Sequence, residues 1–327
     1  MLLVTGGAGF IGSNVVAALN DSGRSDVAVC DLLGQGSKWR NLAKRQLADI
    51  LAPAELPAWL DGRRRLDAII HLGAISETTA TDGDLVIETN FRLSMRLLDW
   101  CTVHATPFIY ASSAATYGDG AQGFNDDPQP AALKALRPLN LYGWSKHLFD
   151  LAVAGRAARG ERLPRQWAGL KFFNVFGPNE YHKGAMMSVL AKRFDEVKAG
   201  RKVHLFKSHR HGIADGDQRR DFIYVDDAVR VLLWLLATPS VSGLFNVGTG
   251  KARSFKDLML AAYAALGTPP NIEYIEMPAS IRDSYQYFTQ SDVDRLQRAG
   301  YNGGFTALED AVDSYVKGYL DSTDRYR

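Results

Sequence analysis

Cysteine is almost missing from this chain of 327 residues, which has two, Cys30 and Cys101. Two thiols so far apart make neither a disulfide framework nor a metal cluster, and no metal ligands are assigned. Net charge is nearly missing as well, at +2 from 38 basic and 36 acidic residues. No global field therefore draws the chain to nucleic acid or to a membrane surface. Basic clusters such as Arg63-Arg64-Arg65 are local and read as a solvated loop. Long hydrophobic runs are absent too: the apolar stretch 231–237 falls far short of the roughly 20 residues that span a bilayer. No leader is expected ahead of the first strand, because a glycine turn begins at residue 6, and a cytoplasmic location is the expectation. No internal repeat or low-complexity segment interrupts a chain long enough for one large core or two unequal domains.

Glycine, by contrast, is placed to a purpose. Val4-Thr5-Gly6-Gly7-Ala8-Gly9-Phe10-Ile11-Gly12 follows a short apolar run and opens a segment with Ile11, Val15, Val16 and Leu19 at helical spacing. That is strand, turn and helix. Gly6 or Gly7 permits the tight turn, Gly9 lets backbone approach a diphosphate, and Gly12 lets helix and strand pack closely. The free amides of the first helical turn then favour an anion. Asp31 closes the next strand-like run, Val27–Cys30, about twenty residues on, where an acid meets an adenosine ribose.

Strand-like and helix-like stretches go on alternating. Asp67–Leu72 reads as a buried parallel strand ending in Gly73-Ala74. A helix carrying Leu85, Ile87, Phe91, Leu97 and Leu98 follows, then a strand from Phe108 to Ser113. The segment 119–138 reads as loop, Tyr142 to Arg159 as helix, and Ala168 to Asn174 as strand. This pattern predicts a Rossmann-type doubly wound parallel sheet, α/β in class, over residues 1–174. A smaller C-terminal α/β substrate domain is expected over 175–327, with segments near 220–228 and 244–250 returning to the main sheet. Ligands collect at strand carboxyl ends in such sheets, and Gly6–Gly12, Asp31, Gly73 and Ser113 all fall there. Asp49, after Ala48, is either an adenine-edge acid or an ordinary loop acid.

Tyr142 and Lys146 are one helical turn apart and share a face. A cation beside a phenol favours the phenolate and fits the pair for moving an alcohol proton. Ser113 ends its own strand and offers a hydroxyl to the same oxygen. Asn174 reads as the end of another strand at the same rim, followed by a turn at Gly177-Pro178 and a polar run with His182 and Lys183. From the residues alone, Lys183 is a phosphate contact or a solvated lysine. Arg220 begins a strand-like run and offers a fork suited to a diphosphate. Phe206 and Tyr285 are ligand contacts or core aromatics.

The leading Thr-Gly, the overlapping glycine motifs and Tyr-x-x-x-Lys resemble the extended short-chain dehydrogenase/reductase superfamily. Thr5–Asn14, Tyr110–Gly118, Leu141–Lys146, Phe173–Gly184, Arg220–Val225 and Phe288-Thr289-Gln290 together resemble the ADP-L-glycero-D-manno-heptose 6-epimerases, nearly end to end. The resemblance implies epimerisation of ADP-D-glycero-β-D-manno-heptose through a transient C6 ketone, with NADP held tightly and hydride returned to the opposite face. It implies that Tyr142 and Lys183 are the two acid/base groups, assisted by Ser113 and Lys146. It also implies a cofactor set of Gly6, Gly9, Phe10, Ile11, Gly12, Asp31, Leu32, Lys38, Asp49, Leu72, Gly73, Ala74, Ser76, Asn90, Lys146, Val175 and Lys183. The substrate set it implies is Ser113, Asn174, His182, Phe206, Arg220 and Tyr285. A homopentamer is the implied assembly.

The chain departs from the family pattern at Leu32, where Asn is usual, and at Pro53, where a lysine is usual. Both departures remove polar contacts to a ribose 2′-phosphate, while Lys38 and Arg40 stay available. NADP is therefore expected, with NAD the alternative. The segment His209–Gln218 looks inserted; His209, His211, Asp215 and Asp217 have the composition of a metal site, but it reads as a mobile surface loop. A dehydratase needs an acid pair after the active-site Ser/Thr, and Ala114 and Ala115 stand there instead. A UDP-hexose 4-epimerase would use the same Ser, Tyr and Lys, but the run around Lys183 argues against it. A catalytically silent dinucleotide sensor is the reading from another class, and the intact Tyr and Lys argue against that.

Overall fold

The computed structural model describes residues 1–62, 65–282 and 285–327; Arg63 and Arg64, assigned to a solvated loop, lie outside them. β1 (Leu2–Thr5) leads through the glycine turn into α1 (Phe10–Asp21), followed by β2 (Val27–Cys30), β3 (Asp49–Leu51), α2 (Leu56–Asp61) and β4 (Ala68–His71). α3 (Gly83–Ile87) passes through a π-turn, Glu88–Arg92, into α4 (Leu93–His104), and then come β5 (Phe108–Ser113) and a 3₁₀ turn, Ala114–Tyr117. α5 (Pro130–Ala135) lies inside the segment read as loop, started by its proline, and α6 (Leu141–Ala158) follows. β6 (Trp167–Phe172), β7 (Asn174–Phe176), a second 3₁₀ turn (Tyr181–Met186), α7 (Val189–Lys198), β8 (Val203–Phe206) and β9 (Arg219–Tyr224) come next. α8 (Val225–Ala237), β10 (Gly243–Val247), β11 (Ala252–Ser254), α9 (Phe255–Leu266), β12 (Ile272–Ile275), α10 (Ala279–Arg282), α11 (Asp294–Arg298) and α12 (Leu308–Tyr315) complete the order.

The main sheet has seven parallel strands ordered β3-β2-β1-β4-β5-β6-β10. Strand order reverses between β1 and β4, and a crevice opens there at the carboxyl ends. Both faces are covered, so the strands read as continuous apolar runs. Leu2 and Val4 face a core with Val15 of α1, Val231 of α8, Leu258 of α9 and Val312 of α12. Leu3 faces the opposite core with Leu56, Leu97, Leu98 and Phe149.

Three expectations are corrected. The segment near 220–228 does not return to the main sheet. β9 pairs parallel with β7 and antiparallel with β11 in a separate small sheet. It is β10, from the 244–250 segment, that joins the main sheet, along β6. Asn174 does not end the β6 strand: the chain leaves that sheet after Phe172, and Asn174 opens β7. The segment 119–138 is not loop throughout: Pro130–Ala135 is helical, because a proline at the first helical position is pre-set for the turn.

Candidate active site

The glycine turn is as crowded as its function requires. Gly6 has φ +68°, and a Cβ there would lie 2.6 Å from the Gly73 nitrogen. A Cβ on Gly12 would lie 2.1 Å from the Gly6 carbonyl oxygen. No side chain caps α1, so the first-turn amides at Phe10 and Ile11 are left to an anion. Asp31 accepts from the Ala8 amide at 2.9 Å and from the Lys38 ammonium at 2.6 Å. Leu32 beside it is 65% exposed. Asp49, on β3, accepts the Trp59 indole N–H at 2.8 Å. Across the crevice the Gly73 amide donates to Thr5 Oγ1 at 3.2 Å, and the Leu72 amide to the Thr5 carbonyl at 3.0 Å. The chain runs on through Ala74 to the exposed Ser76. Asn90, buried in the π-turn, clasps both backbone groups of Ile75 at 2.8 and 2.9 Å and donates to Ser145 of α6 at 3.0 Å. Its amide shapes the 73–76 loop.

Ser113, Tyr142 and Lys146 come together where β5 meets α6. The Asn140 side chain caps α6 by accepting the Gly143 amide at 2.8 Å. Gly143 lets the helix press on the turn after β5, for a Cβ there would lie 2.8 Å from the Ala115 carbonyl oxygen. Burial raises the Tyr142 phenol, and the nearby Ser113 hydroxyl pulls it back. The expected lowering by Lys146 does not govern, because burial acts more strongly on the phenol than its neighbour does. Lys146 is itself buried and pulled down to about 8, with Asp150 acting in the opposite sense.

Lys183 lies in the second 3₁₀ turn, its ammonium 5.1 Å from the centre of the Phe10 ring. The lysine thus meets the glycine turn. Burial lowers its pKa and Glu180 opposes that. Glu180 is buried; it accepts from Ser188 Oγ at 2.7 Å and Tyr315 Oη at 3.1 Å, tying this turn to α12. His182, grouped by sequence with the substrate residues, sits on the glycine-turn side instead. Its Nδ1 is 3.2 Å from the Asn41 amide nitrogen. Burial, with Lys38 and Lys183, pushes it down to about 4.

Arg220, Phe206 and Tyr285 form a second cluster. The Arg220 guanidinium stands 5.2 Å from the Tyr285 ring centre and 5.6 Å from that of Phe255. Tyr285 meets Phe206 edge-on at 6.4 Å. Asn174 and Val175 lie on β7, where Val175 pairs with Ile223 of β9, the strand that carries Arg220. Gln286 donates to the Gly118 carbonyl, joining this cluster to the turn after Ser113. Sequence reasoning missed Gln286, Asn41 and Asp221. Asn41 donates to the Ala8 carbonyl at 2.9 Å and the Asn179 carbonyl at 3.1 Å. Asp221 gathers Thr249, Gly250 and Ser291 behind Arg220. Only Asp221, inside the run Arg220–Val225, stood in a stretch that attracted notice. The inserted segment is fastened down: Ser208's amide donates to Asp215 at 2.7 Å, and Arg210 stacks 4.7 Å from the Tyr287 ring centre. Among the described residues no group of three or more His, Cys, Asp or Glu side chains is placed to hold a metal, and no helix is long and apolar enough to cross a membrane.

A glycine turn at the sheet's switch point, with Ser113 at the end of β5 and Tyr142 and Lys146 on α6 beside it, defines a dinucleotide-dependent enzyme that moves a proton and a hydride. The chain belongs to the NAD dependent epimerase/dehydratase family, whose model matches residues 2–248. Among its relatives, the ADP-L-glycero-D-manno-heptose-6-epimerase of Nitratidesulfovibrio vulgaris (strain DP4) is 47% identical over 100% of both chains. The protein of that name from Fusobacterium nucleatum is 43% identical, again over 100% of both. The crystal structure of the Helicobacter pylori ADP-L-glycero-D-manno-heptose-6-epimerase superposes with a TM-score of 0.79 at 27% identity, covering 97% of this chain and 95% of that one.

Proposed function

We propose that the chain converts ADP-D-glycero-β-D-manno-heptose to its L-glycero epimer at C6. The observation that carries this reading is the 47% identity over the whole length to a heptose epimerase. The cofactor site fits a dinucleotide. Gly6, Gly9, Phe10, Ile11 and Gly12 would hold its diphosphate at the uncapped start of α1, Asp31 and Lys38 would face its adenosine ribose, and Leu72–Ala74 and Lys146 would hold the other half. When bound, the nicotinamide supplies the acceptor for the hydride that leaves C6 and the donor for its return, so no net redox occurs.

The chain's own residues manage the proton. Tyr142 Oη, in the phenolate form that the Lys146 ammonium one turn away would favour against the rise from burial, takes it from the C6 hydroxyl, and Ser113 Oγ donates a hydrogen bond to the same oxygen. Lys183 Nζ serves the ketone when its other face is presented. Its burial and lowered pKa support the role, since a desolvated ammonium gives up its proton more readily. Arg220, with Phe206 and Tyr285, grips the nucleotide-sugar diphosphate. Incubation with the ADP-heptose, followed by NMR of the C6 configuration, tests the reading. Unchanged stereochemistry in the presence of either dinucleotide ends it.

NADP is the cofactor we assign. Lys38 supports this by neutralising Asp31, the acid that would repel a 2′-phosphate. Arg40 gives no such support, since it lies against Trp39 and Tyr326. Chromatography of the nucleotide released on denaturation should find mainly NADP(H), and NAD(H) alone would reverse the assignment. A homo-oligomer, pentameric by resemblance, belongs to the same reading and is tested by sedimentation.

A further inference from the structure

Behind Ser113, Tyr142 and Lys146 lies a buried ion pair that the chemistry above does not use. Lys171 of β6 and Asp150 of α6 meet at 2.7 Å, both side chains 0% exposed. Asp150 also accepts from Ser112 Oγ at 2.6 Å and Tyr110 Oη at 3.2 Å, both on β5. Lys171 donates to Thr116 Oγ1 at 2.7 Å, and Thr116 donates to the Ser113 carbonyl at 2.8 Å. The Lys171 ammonium stands 4.9 Å from the Tyr117 ring centre, in the same turn. One pair thus bolts three pieces together: the end of β5, the turn that presents Ser113, and the helix that carries Tyr142 and Lys146. A buried pair is weak evidence for stability, since packed apolar residues often do as well there. Its placement calls for another account.

We propose that Asp150 and Lys171 are the positioning pair of this active site, holding the Ser113 turn against the Tyr142–Lys146 face and setting the electric field in which those side chains work. The proposal rests on the epimerase reading for its kinetic consequences alone. The charged and titratable groups around the face are His71 on β4, His147 and Asp150 on α6, Lys171 on β6, and Arg137, which acts on His147. Asp126 and Asp292 act on Tyr117 behind the turn. Burial pushes His71 to about 3 and lowers His147, so both are neutral in the working range. That leaves Asp150 as the anion that raises Lys146, and Lys171 is paired with that anion at 2.7 Å.

The test titrates Lys146 by NMR of its labelled side chain, a readout independent of turnover, and measures kcat and KM beside it. Asp150→Asn should lower the Lys146 pKa and Lys171→Met should raise it, each by about half a unit or more. The double variant should return near the parent value. All three should lower kcat about tenfold or more with KM little changed, because alignment and not substrate affinity is lost. Thr116→Val removes the link to Ser113 and no charge. It should lower kcat and leave the Lys146 titration in place, and it decides the matter if the charge variants do not fold. Shifts of Lys146 in the same direction in both single variants, or parental kcat in Thr116→Val, overturn the proposal. An inactive parent whose Lys146 titrates as described refutes the epimerase reading and leaves the pair's electrostatic role standing.

Discussion

Tyr142 and Lys183 are held by different elements, the one on α6 and the other in the turn beside the glycine loop. If each serves one face of the ketone, Tyr142→Phe and Lys183→Met should each cut epimerisation by roughly 10²–10⁴-fold, the usual worth of a positioned acid or base. Dismutation of a C6-aldehyde analogue needs one competent base, so each single variant should keep part of that activity and the double variant almost none. Wild-type epimerisation by Lys183→Met would remove Lys183 from the chemistry and leave Tyr142 the sole base. At this scale the sequence was legible where a motif fixed spacing, as in Tyr142 and Lys146. It was opaque where a contact depends on distant chain, as for His182. Nothing in its neighbours says that Asn41, in the 3₁₀ turn Lys38–Leu42 far upstream, will be its partner.

Elements were more legible than their joints. β5 came out as the apolar run from Phe108 to Ser113, while α5 hid inside a stretch rich in loop-forming residues. The joint between α6 and the Ser113 turn depends on Gly143, which no helix propensity would favour. Gly143→Ala places a methyl 2.8 Å from the Ala115 carbonyl oxygen, so the helix must back away. We expect about 1–3 kcal/mol of lost stability, as for other overpacked contacts, with a fall in kcat. Gly155→Ala on the same helix meets only the tip of Arg159, at 3.1 Å, which can swing aside. It should be neutral or stabilising by up to about 1 kcal/mol. Thermal unfolding of the two variants separates packing from propensity; equal effects would refute the account.

For the whole molecule, acid is the stress to which buried histidine makes it sensitive. Burial, and then the charge of Lys146, pushes His71 to about 3 from an ordinary value of 6.5. Between those values the unfolded chain binds the extra proton, so stability falls as pH drops from 6.5 toward 3. His71 also receives or gives hydrogen bonds at Thr5 and Ser94, at 2.6 and 2.8 Å. His71→Gln should cost stability at neutral pH, and the gap to the parent should shrink steadily on acidification in urea titrations. A constant gap would remove His71 from the acid response. The sequence also proposed a boundary at residue 174, and the strand order gives that boundary a kinetic meaning. β6 is flanked by β5 and by β10, which the chain reaches only at Gly243–Val247. A ribosome that has released the first half has therefore produced a sheet whose β6 edge, Ala168–Phe172, lies open and is apolar except for Lys171. Such edges recruit other chains. A fragment ending at 174 should scatter light on refolding, and a soluble, folded fragment would refute this. The same geometry makes the middle of translation the interval in which the nascent protein most needs a chaperone.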